Sequence, residues 1–155
     1  MKRFLLSFKY AFHGLIHTVK TERNMRIHLC FCVFVTFFGF VCGITAYEWL
    51  AVLAFMGLVT SAEAHNTATE KTLDRIGAEQ SELTKRAKDA AAGGVLAAAI
   101  SAAVGGGIIF FRKERITAAF DFFKNNIWAL ILFIAAVIGA ILFIALTGRK
   151  KENNK

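Results

Sequence analysis

The sequence predicts an all-α fold: a polytopic membrane helical bundle with an N-terminal interfacial amphipathic helix, three core transmembrane helices and an extra C-terminal transmembrane helix. The 155 residues include 16 Phe and no Pro, and 56% are hydrophobic, whereas soluble domains usually have turn prolines and fewer apolar residues. Long apolar stretches recur at 27–47, 49–59, 90–111 and 127–146. About 20 apolar residues cross the hydrocarbon core of a bilayer.

The first helix is expected to lie in the membrane interface. Within residues 4–20, Phe4 and Phe12 follow one side of a helix, and Lys9 falls on the other. Aromatic residues on one face and cations on the opposite face are typical of a helix at the headgroup level. Residues 112–124 have a similar pattern and predict a second interfacial helix.

The second apolar stretch, 49–59, is too short to cross a bilayer by itself. Its residues span only about 17 Å at a rise of about 1.5 Å per residue. The helix is therefore expected to continue from Glu48 through polar residues to about Asp74, and a cytoplasmic loop is expected over 77–89. The outer connection before this helix is expected at 46–48.

The third apolar stretch, 90–111, consists mostly of Ala and Gly. Small residues let membrane helices approach closely, so this helix is expected in the middle of a bundle. The chain then divides into a core, residues 1–111, and an extension, residues 112–155. The extension holds the second interfacial helix, the fourth span and a basic tail.

The distribution of charge predicts the orientation of the chain, whose formal net charge is +8. With the N-terminus in the cytoplasm, most basic residues lie inside, as the positive-inside rule requires. Those left outside are Arg112, Lys113, Arg115 and Lys124. The basic residues flank spans and form no continuous basic face, which argues against nucleic acid as a partner and favours anionic lipid head groups. We expect a multi-pass protein of the cytoplasmic (inner) cell membrane.

The segment AEAHNTATEK, residues 62–71, places ionisable side chains at the end of an apolar helix. Glu63, Asn66, Glu70 and Asp74 lie within about an 80° sector of that helix, and we call them the polar stripe. Ionisable groups inside a span are costly and indicate a function by default. The alternative is that the span ends before the stripe, which would then be solvated. The short apolar stretch argues against that alternative.

Carboxylates on one face beside a basic loop are groups that phosphoryl transfer requires. Mg²⁺ binds one or two carboxylates together with phosphate oxygens, and a further carboxylate can accept the proton of an attacking hydroxyl. Lysine can neutralise charge on the transferred phosphoryl group, and the loop offers Lys85 and Lys88. The sequence has no GxxxxGK[ST] loop and no HRD/DFG set.

Three blocks, in order and spacing, resemble the small prokaryotic membrane kinases of the diacylglycerol kinase/undecaprenol kinase family: TERNMRIH, ExxNTAxExxxDRIGAEQSEL and AKDAAAGGVL. The resemblance covers roughly residues 3–111 and is greater to the undecaprenol kinases. It implies a phosphotransferase with an alcohol acceptor, which uses ATP and Mg²⁺ to phosphorylate the primary hydroxyl of a membrane lipid. Undecaprenol is the first expected acceptor and diacylglycerol the second. The resemblance also implies a homotrimer with active sites between subunits.

The resemblance assigns site residues by position in this sequence. The catalytic base, which also meets the lipid substrate, falls on Glu63, and the active-site asparagine falls on Asn66. The metal-binding glutamates, which also contact ATP, fall on Glu22 and Glu70. The remaining nucleotide contacts fall on Arg3, Tyr10, Glu79, Gln80, Ser81, Lys88 and Asp89.

The chain departs from the family pattern beside the polar stripe. His65, Thr69, Lys71 and Thr72 stand where the family has small or apolar residues. His65 lies about 200° from Glu63 around the helix, away from the stripe. The departures at His65 and Thr69 are the best argument for one alternative, a catalytically inactive membrane interaction protein. A second alternative is a small four-span transporter with carboxylates in its pathway. A transporter needs its carboxylate near the bilayer midplane, whereas these acidic residues cluster at one membrane face.

Overall fold

The computed structural model describes residues 2–76 and 81–146, and within these ranges it contains only α-helices. The predicted all-α architecture is confirmed, and each predicted helix is present. The helices are α1 (Lys2–Thr21), α2 (Arg23–Val41), α3 (Ala46–Arg75), α4 (Glu82–Phe110), α5 (Lys113–Asn125) and α6 (Ile127–Leu146).

Three of the described helices, α2, α4 and α6, are long and apolar enough to cross a membrane. α3 carries the polar stripe and is not among them. Its 30 residues extend about 45 Å, and it packs along α4 more extensively than any other two described helices pack together. The chain is therefore a multi-pass membrane protein, in which the polar helix lies beside a spanning one.

Helix caps determine where the connections fall. The turn between α2 and α3 covers residues 42–45, where Gly43 has a φ of 57° that glycine adopts at no steric cost. Thr45 and Glu48 form a capping box, in which the Glu48 carboxylate accepts a 2.7 Å hydrogen bond from the Thr45 N–H. The expected connection at 46–48 is therefore wrong by a few residues, because Thr45 already starts the helix.

The expected loop over 77–89 is also too long. The Ser81 hydroxyl accepts a 3.0 Å hydrogen bond from the Thr84 N–H and caps α4. Since an N-cap serine satisfies one of the first orphan N–H groups of a helix, α4 begins at Glu82. The basic residues of the expected loop consequently lie on the first turns of α4.

α3, not α4, is central within the single chain. It packs against α1, α2 and α4, whereas large side chains of α4 such as Leu96 (62%) and Val104 (59%) are exposed. The expected central position of the Ala- and Gly-rich helix is therefore wrong for one chain. Its small residues instead allow α3 and α4 to approach, since a Cβ on Gly105 would overlap the ring of Phe55.

The extension is fastened to the end of the bundle opposite the polar stripe. Arg115 of α5 donates hydrogen bonds to the carbonyl oxygens of Cys42 and Gly43, and it pairs with Glu48 at 2.9 Å. Aromatic rings then join α6 to α2 and α5, with centroid distances between 5.4 and 6.3 Å. The rings belong to Phe34, Phe37, Phe38, Phe122, Phe123 and Phe133.

Gly105→Ala should weaken the packing of α3 on α4, because its methyl group would overlap the Phe55 ring. Overpacking of this kind costs about 1–3 kcal/mol. Gly106→Ala is the matched control, since no described atom lies within 4 Å of its Cβ position. Circular dichroism of the proteins in detergent should give a lower unfolding midpoint for Gly105→Ala alone. Equal midpoints would mean that Phe55 rotates away without cost.

Candidate active site

The polar stripe runs from the interior of the chain to its surface. Glu63 is 2% exposed and Asn66 is 8% exposed, whereas Glu70 is half-buried and Asp74 is exposed. At the level of Glu63, residues of α2 and α4 line a cavity together with α3. Exposure increases along α3, so the stripe joins a buried carboxylate to a half-buried one and an exposed one.

Glu63 and Asn66 line a cavity of about 280 Å³. The other lining residues come from α2 and α4: Asn24, Ile27, His28, Ala92, Val95, Leu96 and Ala99. A second cavity of about 480 Å³ shares Ile27, His28 and Ala99 with the first. It continues along α2, α3 and α4 away from the polar stripe, as far as Phe111. The two cavities form one groove, and His28 lies where they join.

Two buried oxygen atoms of the stripe have no hydrogen-bond partner among the described residues. They are Oε2 of Glu63 and Oδ1 of Asn66. A buried polar atom without a partner costs about 1–3 kcal/mol, and such an atom in a folded protein calls for an explanation. A carboxylate oxygen kept without a donor is able to accept a proton, which is what a general base does.

Two further carboxylates, those of Glu22 and Glu70, lie in the neighbourhood of Glu63. Asn66 donates a 3.1 Å hydrogen bond from Nδ2 to Oε1 of Glu70. The carboxylates of Glu22 and Glu70 both lie near enough to Glu63 to interact with it electrostatically. Glu22 is the N-cap residue of α2, but its side chain caps no N–H group. Its carboxylate instead pairs with Lys71 at 3.1 Å.

The acidic residues that the structure describes do not form a metal site made only of protein ligands, but they suit a Mg²⁺ site that phosphate oxygens and waters complete. The described residues contain no group of three or more His, Cys, Asp and Glu side chains that could hold a metal ion, so they offer no complete protein cage. Mg²⁺ needs less, because it binds through one or two carboxylates, phosphate oxygens and waters. Glu22 and Glu70 are carboxylates of the type that such a site uses.

Lys88 lies away from Glu63 in the same chain. It pairs with Asp74 at 2.5 Å, and Asp74 lies three turns beyond Glu63, about 16 Å along α3. Asp89 and Ser81 are exposed on the first turns of α4 and at its cap. The candidate residues Glu79 and Gln80 lie outside the described residues.

The two candidate residues of α1 are also apart from the carboxylates. Arg3 and Tyr10 are exposed, and Tyr10 lies three turns, or about 16 Å, from the end of α1 at Thr21. That end is where α1 meets the core, because Lys71 of α3 bonds there. Among the described residues, the expected nucleotide contacts Arg3, Tyr10, Ser81 and Asp89 are therefore exposed and lie on separate parts of the chain.

The polar departure at His65 lies off the site, as expected. Its side chain is exposed, and its Nδ1 lies 2.8 Å from the carbonyl oxygen of Ser61 in the same helix. His65 is therefore not among the residues that line the groove.

Arg26 has a structural role that its sequence context does not reveal. It is 1% exposed, and its guanidinium donates hydrogen bonds to the carbonyl oxygens of Val19 (3.1 Å) and Lys20 (3.3 Å). These carbonyls belong to the last turn of α1, where no further helical N–H can reach them. An arginine just before an apolar stretch resembles any other cytoplasmic flanking charge, so the sequence offers no signal for this contact.

Comparison with known proteins identifies relatives of the core. The sequence profile of prokaryotic diacylglycerol kinase matches residues 9–110. The undecaprenol kinase of Bacillus subtilis (strain 168) is 38% identical over 92 residues, which are 59% of this chain and 75% of that protein. The diacylglycerol kinase of Haemophilus influenzae is 39% identical over 85 residues, 54% of this chain and 70% of that protein. No solved structure matches the chain.

Arg26→Met should loosen the junction of α1 and α2, because the carbonyl groups of Val19 and Lys20 would lose their donor. A buried polar group left without its partner costs about 1–3 kcal/mol. Arg23→Met is the matched control, since Arg23 is exposed. Thermal unfolding in detergent should show the loss for Arg26→Met only, together with faster cleavage by protease near residue 22. A similar midpoint for both variants would contradict this role.

Proposed function

We propose that this chain, which belongs to the prokaryotic diacylglycerol kinase family, transfers the γ-phosphoryl group of ATP to the primary hydroxyl of a membrane lipid. Family membership makes the chain a lipid kinase, a phosphotransferase with an alcohol acceptor. The observation that best supports the proposed chemistry is the buried carboxylate of Glu63. It lines the groove, and its Oε2 has no partner among the described residues.

Undecaprenol is the acceptor that the groove favours. Apart from His28 and Cys32, the larger cavity is lined by apolar residues. A polyprenyl alcohol has one apolar chain and one hydroxyl group. With the hydroxyl at Glu63, only its apolar chain would contact this lining. Diacylglycerol would bring two acyl chains and two ester groups, which need polar partners when they are buried. The resemblance to an undecaprenol kinase supports the same order.

Glu63 acts as the general base in the proposed reaction. Its Oε2 takes the proton of the lipid hydroxyl as that oxygen attacks the γ-phosphorus atom. The bond from the γ-phosphorus to the bridging oxygen breaks, and ADP leaves. Asn66 holds Glu70 through its amide N–H, which keeps the second carboxylate turned toward the site.

The nucleotide side of the site is built from the remaining assigned residues. Glu22 and Glu70 would hold Mg²⁺, which neutralises charge on the phosphate oxygens when bound. Lys88 would contact the transferred phosphoryl group, as a lysine does in other kinases. The further nucleotide contacts are assigned to Arg3, Tyr10, Glu79, Gln80, Ser81 and Asp89.

A homotrimer with shared sites would bring these two sides together. In one chain Lys88 lies about 16 Å from the level of Glu63, whereas the same chain already buries Glu63 to 2% exposure. A neighbouring subunit is thus needed to supply nucleotide contacts and not to shelter the base. The exposed apolar residues of α4 offer it a surface. We propose that the site lies at the cytoplasmic face of the inner membrane, with the N-terminus inside, because this orientation leaves most basic residues of the sequence inside.

Glu63→Gln should lower turnover by about 10²- to 10⁴-fold, because glutamine keeps the size of the side chain but cannot take the proton. ATP consumption is measured in detergent micelles with undecaprenol, with diacylglycerol and without lipid. The wild-type protein should prefer undecaprenol and show no lipid-free activity. His65→Leu is the control for α3 and should stay within about twofold. Turnover of Glu63→Gln within about threefold of wild type would remove Glu63 from the role.

Coexpression of Glu63→Gln with Lys88→Ala should restore part of the activity that each variant lacks alone. Mixed trimers would contain some sites with an intact base from one chain and an intact lysine from another. Copurification through two different tags shows that mixed assemblies form. Background activity in such assemblies, or an active monomer, would reject the shared site.

A further inference from the structure

Lys71 makes three polar contacts at the junction of α1 and α2. Its ammonium nitrogen lies 3.1 Å from Oε1 of Glu22, 2.7 Å from Oγ1 of Thr21 and 3.2 Å from Nε2 of His17. A lysine ammonium has three N–H donors and no acceptor. The three contacts therefore match all of its donors, and they place a fixed positive charge on the carboxylate of Glu22.

This positive charge lies against one of the two carboxylates assigned to the metal. Lys71 directly follows Glu70 on α3, and its partner Glu22 is the other member of the pair. A divalent cation that binds the carboxylate of Glu22 would be repelled by the ammonium and would compete with it for that carboxylate.

We propose that Lys71 is a tethered counter-ion, which lowers the affinity of Glu22 and Glu70 for a free divalent cation and reserves the site for the cation–nucleotide complex. The inference rests on the proposed function, which assigns those two glutamates to the metal. When the cation arrives with a nucleotide, phosphate oxygens offer the displaced ammonium a new anionic partner. A free cation brings no anionic partner for the ammonium, so its binding is opposed by the whole interaction between Lys71 and Glu22.

The expected size of the effect is modest. The side chains of Lys71 and Glu22 are 36% and 23% exposed, and ion pairs that water can reach contribute little to binding or stability. Removal of the positive charge should therefore strengthen binding of the free cation about threefold to fivefold.

The test uses the full chain in detergent and Mn²⁺ as the probe, with free Mn²⁺ measured by electron paramagnetic resonance. Lys71→Gln removes the charge and keeps a donor for Thr21, and Lys71→Met is a second neutral variant. Lys71→Arg keeps the charge. Lys113→Gln removes the same charge at the opposite end of the bundle. Each protein is titrated alone and with the non-hydrolysable β,γ-methylene analogue of ATP.

The neutral variants should bind free Mn²⁺ about threefold to fivefold more tightly than wild type, Lys71→Arg and Lys113→Gln. The gain in Mn²⁺ affinity on adding the nucleotide analogue should be smaller for the neutral variants. Circular dichroism and size-exclusion chromatography check that both neutral variants are helical and monodisperse. If they are, and both bind Mn²⁺ no more tightly than wild type, the proposal is overturned, because that is the result expected if Lys71 only holds α1 against α3. If Glu22→Gln and Glu70→Gln leave Mn²⁺ binding intact, the metal assignment itself fails. The lipid phosphorylation assay with Glu63→Gln judges the proposed reaction separately.

Discussion

The burial of one carboxylate among apolar helices is the constraint that organises this chain. An ionisable group inside a membrane protein is stable only where it faces protein or a polar cavity. Glu63 meets this condition because α2 and α4 flank α3 and the small residues Ala92 and Ala99 leave room at the groove. The same constraint explains why α3 is 30 residues long. Its apolar half would not reach across a bilayer, and its polar half has to be covered.

Two arginines, at opposite ends of the bundle, donate hydrogen bonds to carbonyl groups at the ends of helices. The last carbonyl groups of a helix lack intrahelical donors, and near a membrane such groups need internal partners. Arg26 donates to Val19 and Lys20 at the end of α1. Arg115 donates to the carbonyls that follow α2 and also pairs with Glu48. The guanidinium of Arg26 thus donates to carbonyl groups of α1, and the cation that pairs with Glu22 is Lys71.

The sequence predicts the helices well because each is an apolar or amphipathic stretch whose signal is local. The polar stripe could also be predicted, since the spacing of Glu63, Asn66 and Glu70 follows from helix geometry alone. The predicted loop extended too far, to residue 89, because basic residues are typical of a loop. The Ser81 cap instead starts α4 at Glu82. The contacts of Arg26 and Lys71 could not be predicted, because their partners lie on another helix and no local pattern marks them.

The extension leaves one apolar face of the core uncovered, which is compatible with the proposed shared site. α6 packs against α2 and α5, on the side where the phenylalanine rings gather. The exposed apolar residues of α4, among them Ile100 and Ile108, stay uncovered by it. In water these residues would be an aggregation surface, whereas in a membrane they can face lipid or a neighbouring helix of small residues. The spanning helix α6, added on the α2 side, therefore leaves this face of α4 uncovered within the chain. The kinase core and the extra helix are thus compatible in one chain.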